Sequence, residues 1–174
     1  MDKQTALAEL KAELAKLDPN DTNSWIRGLS PCAAFFKRFP DSIFIALESP
    51  FQGGSPEATE LNVIYARKAF KHSLMVHGEI PFASHLLYTQ DGILDDTIPA
   101  ERALGISAGF YTNLLAHKTV LYIDLGISRG MLEGAKASYA ANRPLVLRSL
   151  EVGELADSNL ATARKVLAEK GITL

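Results

Sequence analysis

The sequence is nearly without cysteine. Cys32 is the one thiol in 174 residues, so no internal disulfide can close, and beside four scattered histidines it makes no zinc-ligand spacing. The expectation is a protein of the reducing cytoplasm with no metal and no cofactor. Long apolar runs are also missing. No stretch of about 18 residues is uninterrupted by polar groups, and the first residues alternate charge with alanine and leucine instead of forming a signal-type core. Such a chain is expected to be soluble, with no membrane partner. A large excess of one sign of charge is missing too. The formal charge is −2, spread without long blocks, and offers no basic field to hold a nucleic acid polymer. Internal repeats and low-complexity tracts are absent.

The chain does have enough apolar material for one good core, at 47% hydrophobic and 22% charged residues, and is too short for two comfortable ones. It divides into an N-terminal helical extension over residues 1–40 and an α/β domain over residues 41–174. Leu7, Leu10, Leu14 and Leu17 recur at helical spacing and predict an amphipathic helix over 3–17 that ends before Pro19 and packs on its own domain or on a second subunit. A polar loop follows, then a short helix from Pro31 to Phe39 that would bury Phe35, Phe36 and Phe39. Beyond it, strands and helices alternate. Strands are expected at Ser42–Leu47, Ile80–Ser84 (ending at His85), Val120–Ile123 and Pro144–Ser149. Helices are expected at 57–77, closed by Gly78, and at 100–116, 131–141 and 157–170, the last capped by Asp157 and stopped by Gly171. This alternation implies a parallel sheet with right-handed crossovers, doubly wound in three layers.

The pocket of such a sheet lies beyond the carboxyl ends of its strands. Three stretches reach that rim. The first is the loop after the first strand, where Ser49, Pro50, Phe51 and Gly53 can surround a phosphate or sugar hydroxyls. Tyr65, on the helix after it, is expected as a pocket wall. The second runs from His85 to the acidic pair Asp95 and Asp96. The third is Val120–Tyr139, in which apolar residues lead to Asp124, a glycine-flanked turn holds Ser128 and Gly130, and Met131, Ala135 and Tyr139 mark a helix face. Ser128 can cap that helix or hold an anion, and Glu133 is the first-turn carboxylate best placed to enter the pocket.

Taken in order, Ile45-Ala-Leu-Glu-Ser-Pro-Phe51, Asn62, Tyr65-Ala-Arg67, Ile80-Pro-Phe-Ala-Ser-His-Leu-Leu-Tyr88, Leu94-Asp-Asp96, Ala100-Glu-Arg-Ala-Leu-Gly105 and Ile127-Ser-Arg-Gly-Met131 resemble the nucleoside 2-deoxyribosyltransferase-like proteins, in particular a small phage and bacterial branch. The resemblance covers about residues 42–150. It implies a flavodoxin-like sheet, homo-oligomers in which a neighbour helps close each pocket, and cleavage or exchange of the N-glycosidic bond of a nucleoside or nucleoside 5′-monophosphate. In that chemistry a glutamate on the helix after the third strand attacks the anomeric carbon, and a nearby acid assists the leaving base. Glu133 is then the expected nucleophile and Asp96 its partner. Ser49, Pro50, Phe51, Gly53, Tyr65, His85, Asp95, Asp124, Ser128, Gly130 and Met131 are the expected substrate contacts.

The sequence departs from the pattern at one important place. Glu133 stands one residue before the family's glutamate position, which here is Gly134, and one helical step is a turn of about 100°. The aspartate common before the third strand is also replaced, by His117-Lys118. Three readings follow: an N-glycosidase or deoxyribosyltransferase, a nucleotide-sequestering protein that binds without turnover, and an assembly role for the N-terminal helix.

Overall fold

A computed structural model describes residues 1–40 and 43–174. In chain order the elements are α1 (Lys3–Leu14), α2 (Ser24–Arg38), β1 (Phe44–Glu48), α3 (Pro56–His77), β2 (Ile80–Phe82), α4 (Ser84–Leu87), α5 (Pro99–Asn113), β3 (Lys118–Tyr122), α6 (Arg129–Ala140), β4 (Leu145–Arg148) and α7 (Glu154–Ala168). Ser42, expected to open the first strand, lies outside the described residues.

The four strands form one all-parallel sheet in the order β2-β1-β3-β4. The two central strands are the most deeply buried, as strands covered on both faces are. Their alternate residues enter two cores. Ile45, Leu47, Val120 and Tyr122 pack on Tyr65 and Ala69 of α3, while Leu121 and Ile123 meet Met131 and Ala135 of α6 and Ala163 and Leu167 of α7. The result is the three-layer, flavodoxin-like α/β fold expected from the sequence.

Local chemistry sets the element ends. Ser55 caps α3 through Ala58 N–H, Pro56 takes its first position, and Gly78 closes it in the left-handed conformation at φ 58°. Other boundaries differ from expectation. Helix α2 begins at Ser24, and Pro31 sits inside it. Strand β2 has three residues, and His85 belongs to the short helix α4 rather than to a strand end. Helix α7 starts at Glu154 after Gly153, so Asp157 is a first-turn residue and not the cap.

Helices α1 and α2 make a hairpin over Ala6, Leu7, Leu10 and Phe35. It seats on the end of α3. A Cβ on Gly78 would come 2.7 Å from Phe35 Cζ, and Lys11 Nζ donates to the Met75 carbonyl at 3.0 Å. Among the described residues no helix is long and apolar enough to cross a membrane.

Candidate functional site

In the order β2-β1-β3-β4, successive connections leave in opposite directions from β1 and β3, and the crevice of such a sheet opens where their carboxyl ends part. A cavity of about 600 Å³ lies at this place, within the range of small-molecule sites. Glu48, the last residue of β1, is part of its lining together with side chains from α4, α5 and the start of α6.

Glu48 lies on the α6 side of the sheet, opposite to Ile45 and Leu47. Its carboxylate rests on the backbone of Gly134, where a Cβ would stand 2.7 Å from Oε1. Asn113, at the last turn of α5, donates Nδ2–H to the same oxygen at 3.3 Å. No other described side chain or backbone group hydrogen-bonds this carboxylate. Part of the residue faces the cavity while the acid is shielded from bulk solvent. Burial pushes its pKa up to about 7, with the Asn113 bond opposing the rise. Near neutral pH both its ionised and protonated forms are therefore populated.

Beside it, Ser49 is buried and shares a 2.9 Å hydrogen bond with His85 Nε2. Burial lowers the His85 pKa to about 4, which leaves a neutral imidazole at neutral pH. Phe51 packs near that ring, with centroids 6.0 Å apart. From α5, Arg102 ion-pairs with Asp96. Burial raises the Asp96 pKa and the guanidinium opposes the rise. At the start of α6, Ser128 is the N-cap and accepts from Met131 N–H at 3.3 Å.

Of the residues singled out in the sequence, Ser49, Phe51, His85, Asp96, Ser128, Gly130, Met131 and Glu133 line this cavity. Glu133 does so from the rim. Half of its side-chain surface is exposed, and its carboxylate takes a 2.9 Å ion pair from Lys136, which holds its pKa below the ordinary value. Pro50, Gly53, Tyr65, Asp95 and Asp124 are outside the lining. Pro50, in the loop after β1, is buried. Gly53 N–H donates to Thr59 Oγ1, and a Cβ there would come 2.5 Å from that of Ala58, so the glycine seats the loop on α3. Tyr65 donates its hydroxyl to Asp124 at 2.5 Å, and Asp124 also accepts from Ser149 and from Leu150 N–H. Together they clasp the end of β3 to the loop after β4. Asp95 accepts from Thr97 N–H in a neighbouring, shallower hollow.

Sequence reasoning passed over Glu48, Asn113, Tyr88 and Phe110, all of which line the cavity. The signal for Glu48 was available: it is an acid that closes an apolar strand run at the rim of the sheet. Nothing comparable marked Asn113. Among the described residues no group of histidine, cysteine and acidic side chains is arranged to hold a metal ion.

Neither a curated protein nor a solved structure matches the chain. A family profile does match, over residues 43–148, which is more than half of the sequence and includes β1 through β4. The chain belongs to that family, described as a domain of unknown function (DUF7768).

Proposed function

We propose that this protein cleaves or exchanges the N-glycosidic bond of a nucleoside or nucleoside 5′-monophosphate, with Glu48 as the attacking carboxylate. The observation that carries the reading is the Glu48 carboxylate on the floor of a nucleoside-sized cavity, resting on Gly134. Gly134 is the position where the resembling family has its glutamate. Here the acid reaches the same hollow from the facing strand.

In the reaction, an oxygen of ionised Glu48 bonds to the anomeric carbon as the carbon–nitrogen bond breaks, and the electron pair leaves on the base nitrogen, which takes a proton from solvent water. Water or a second base next displaces the carboxylate from the sugar and restores it. Burial strips water from the carboxylate and strengthens it against the positive charge that builds on the sugar. Phe51 and Phe110 flank the base, and the Asp96–Arg102 pair meets its edge. Ser49 and Ser128 hold the 5′ oxygen. The reading places the protein in the cytoplasm as a homo-oligomer, and the exposed Leu104, Tyr111, Leu114 and Leu115 at and just beyond α5 are apolar surface suited to a second copy.

A panel of nucleosides and 5′-monophosphates, followed by chromatography for free base, tests the reading. Wild type and Glu133→Ala release base at similar rates, and Glu48→Gln is slower by at least about 10²-fold, the low end for loss of a group that takes part in the chemistry. The outward-facing Glu133 and the glycine at 134 favour one alternative, binding without turnover. Calorimetric binding with ligand recovered intact, and no base released by wild type from any member of the panel, would replace the first reading by that one.

A further inference from the structure

We infer that Asn113 is the positioning residue for Glu48, fixing Oε1 so that Oε2 is the oxygen presented to the ligand; the role assigned to Oε2 rests on the function proposed above. Three observations converge on it. Asn113 is buried, an unfavourable place for an amide unless it has a partner, and its Nδ2–H donates to Glu48 Oε1. The same oxygen lies against the backbone of Gly134, so Oε1 is held from two elements while Oε2 has no hydrogen-bond partner among the described residues.

The third observation is the construction of α5 itself. Gly105, Gly109 and Asn113 are four residues apart and so share one face of the helix. A Cβ on Gly109 would stand 2.7 Å from Ser84 Cβ and Oγ in α4, and one on Gly105 would stand 3.2 Å from Leu94 Cδ1. The inward face therefore brings its backbone close to α4 and the adjoining loop, and the next residue along that face is the one that reaches Glu48. Large apolar groups are kept to other faces, as at Leu104 and Tyr111, both exposed. The charged residues that line the cavity with Glu48 are Asp96, Glu101, Arg102, Arg129 and Glu133, along with neutral His85, and none of them hydrogen-bonds its carboxylate.

Carboxyl NMR of the full chain labelled with ¹³C-glutamate tests this directly, with the Glu48 resonance identified by its loss in Glu48→Gln. In Asn113→Leu the Glu48 titration midpoint rises by about one pH unit, a tenfold change in proton affinity, because the one donor to the ionised form among the described residues is gone. The rising limb of the kcat/KM profile moves with it, and KM changes by less than about threefold. Asn113→Ala serves if the leucine variant does not fold and is expected to shift the midpoint in the same direction. An unchanged midpoint in a folded variant, whatever its melting temperature, would reduce Asn113 to a packing residue and overturn the inference. The titration needs no substrate, so absence of base release from wild type would count against the proposed function while leaving the hold of Asn113 on Glu48 to be decided by the NMR data.

Discussion

Glu48 and Glu133 put the same functional group into opposite surroundings at one cavity. Glu133 is solvated and paired with Lys136, which favours its charged form, whereas Glu48 is shielded and has one long amide bond. The difference should appear in stability as well as in rate. An unfolded glutamate titrates near 4.5 and folded Glu48 near 7, so between those values the folded state holds a proton that the unfolded state has lost. Stability from this group therefore falls as pH rises from about 4.5 to 7 and is level above that. Glu48→Gln removes the penalty. Urea melts should show the variant equal to wild type at the acid end of the window and more stable at the alkaline end, by about 3 kcal/mol. A constant difference across the window would contradict a buried, raised carboxyl. The sequence could not settle which glutamate is the inner one. Spacing along α6 orients Glu133 to within a helical step, but only the tertiary placement of Gly134 across from β1 makes a shielded site at Glu48.

The same division between local and distant information runs through the elements. The limits of α3 were legible because Ser55, Pro56 and Gly78 act within a few residues of the helix they bound. Pro31 is well suited to a first turn and points to a helix that starts there, yet burial of Phe35 and its neighbours against α1 carries α2 through the proline at the loss of one backbone bond. The apolar run before His85 points to a strand ending there, and the chain instead turns into α4, which brings the imidazole to Ser49. Contact between α6 and β1 was the least legible of all, since it depends on a missing side chain. That contact can be perturbed in a graded way. Gly134→Ala drives a methyl group into the end of the Glu48 side chain, which has to swing aside, so the overpacking costs about 1 kcal/mol, the low end of its range. Glu48→Asp shortens the acid by one methylene. The double variant should recover most of the stability lost by Gly134→Ala, so a double-mutant cycle on melting curves should give a clear coupling energy. Additivity of the two changes would mean that the helix and strand do not meet through these residues.

At the scale of the whole molecule, one other buried acid joins parts of the chain that the cavity does not. Glu79, 1% exposed, follows Gly78 at the seat of the N-terminal hairpin. Its carboxylate accepts from Ser73 of α3 at 2.6 Å, from Lys118 of β3 at 2.7 Å and from Arg148 of β4 at 2.7 and 3.2 Å. Arg148 also lies over the Tyr122 ring. One carboxylate next to β2 thus links a covering helix to two other strands of the sheet, including the far edge. Residues so distant in sequence carried no local sign of this, and the expectation for the stretch went no further than a strand beginning at Ile80. Burial alone would raise the Glu79 pKa, but the hydrogen bonds from Arg148, Lys118 and Ser73 outweigh it and bring the value to about 2. Its contribution to stability is accordingly complete above the unfolded value of 4.5 and is lost as pH falls toward 2. Glu79→Gln leaves two cations without their counter-charge and should cost about 3 kcal/mol at neutral pH, the low end for a broken buried pair because Lys118 retains some contact with water. The deficit relative to wild type should shrink as pH falls through the acid range. None of Glu79, Lys118 and Arg148 lines the cavity, so below its melting temperature the variant should titrate Glu48 with the wild-type midpoint. A shifted Glu48 midpoint in Glu79→Gln would mean that the ionic tie and the candidate site are coupled through the sheet, contrary to the separation seen in their geometry.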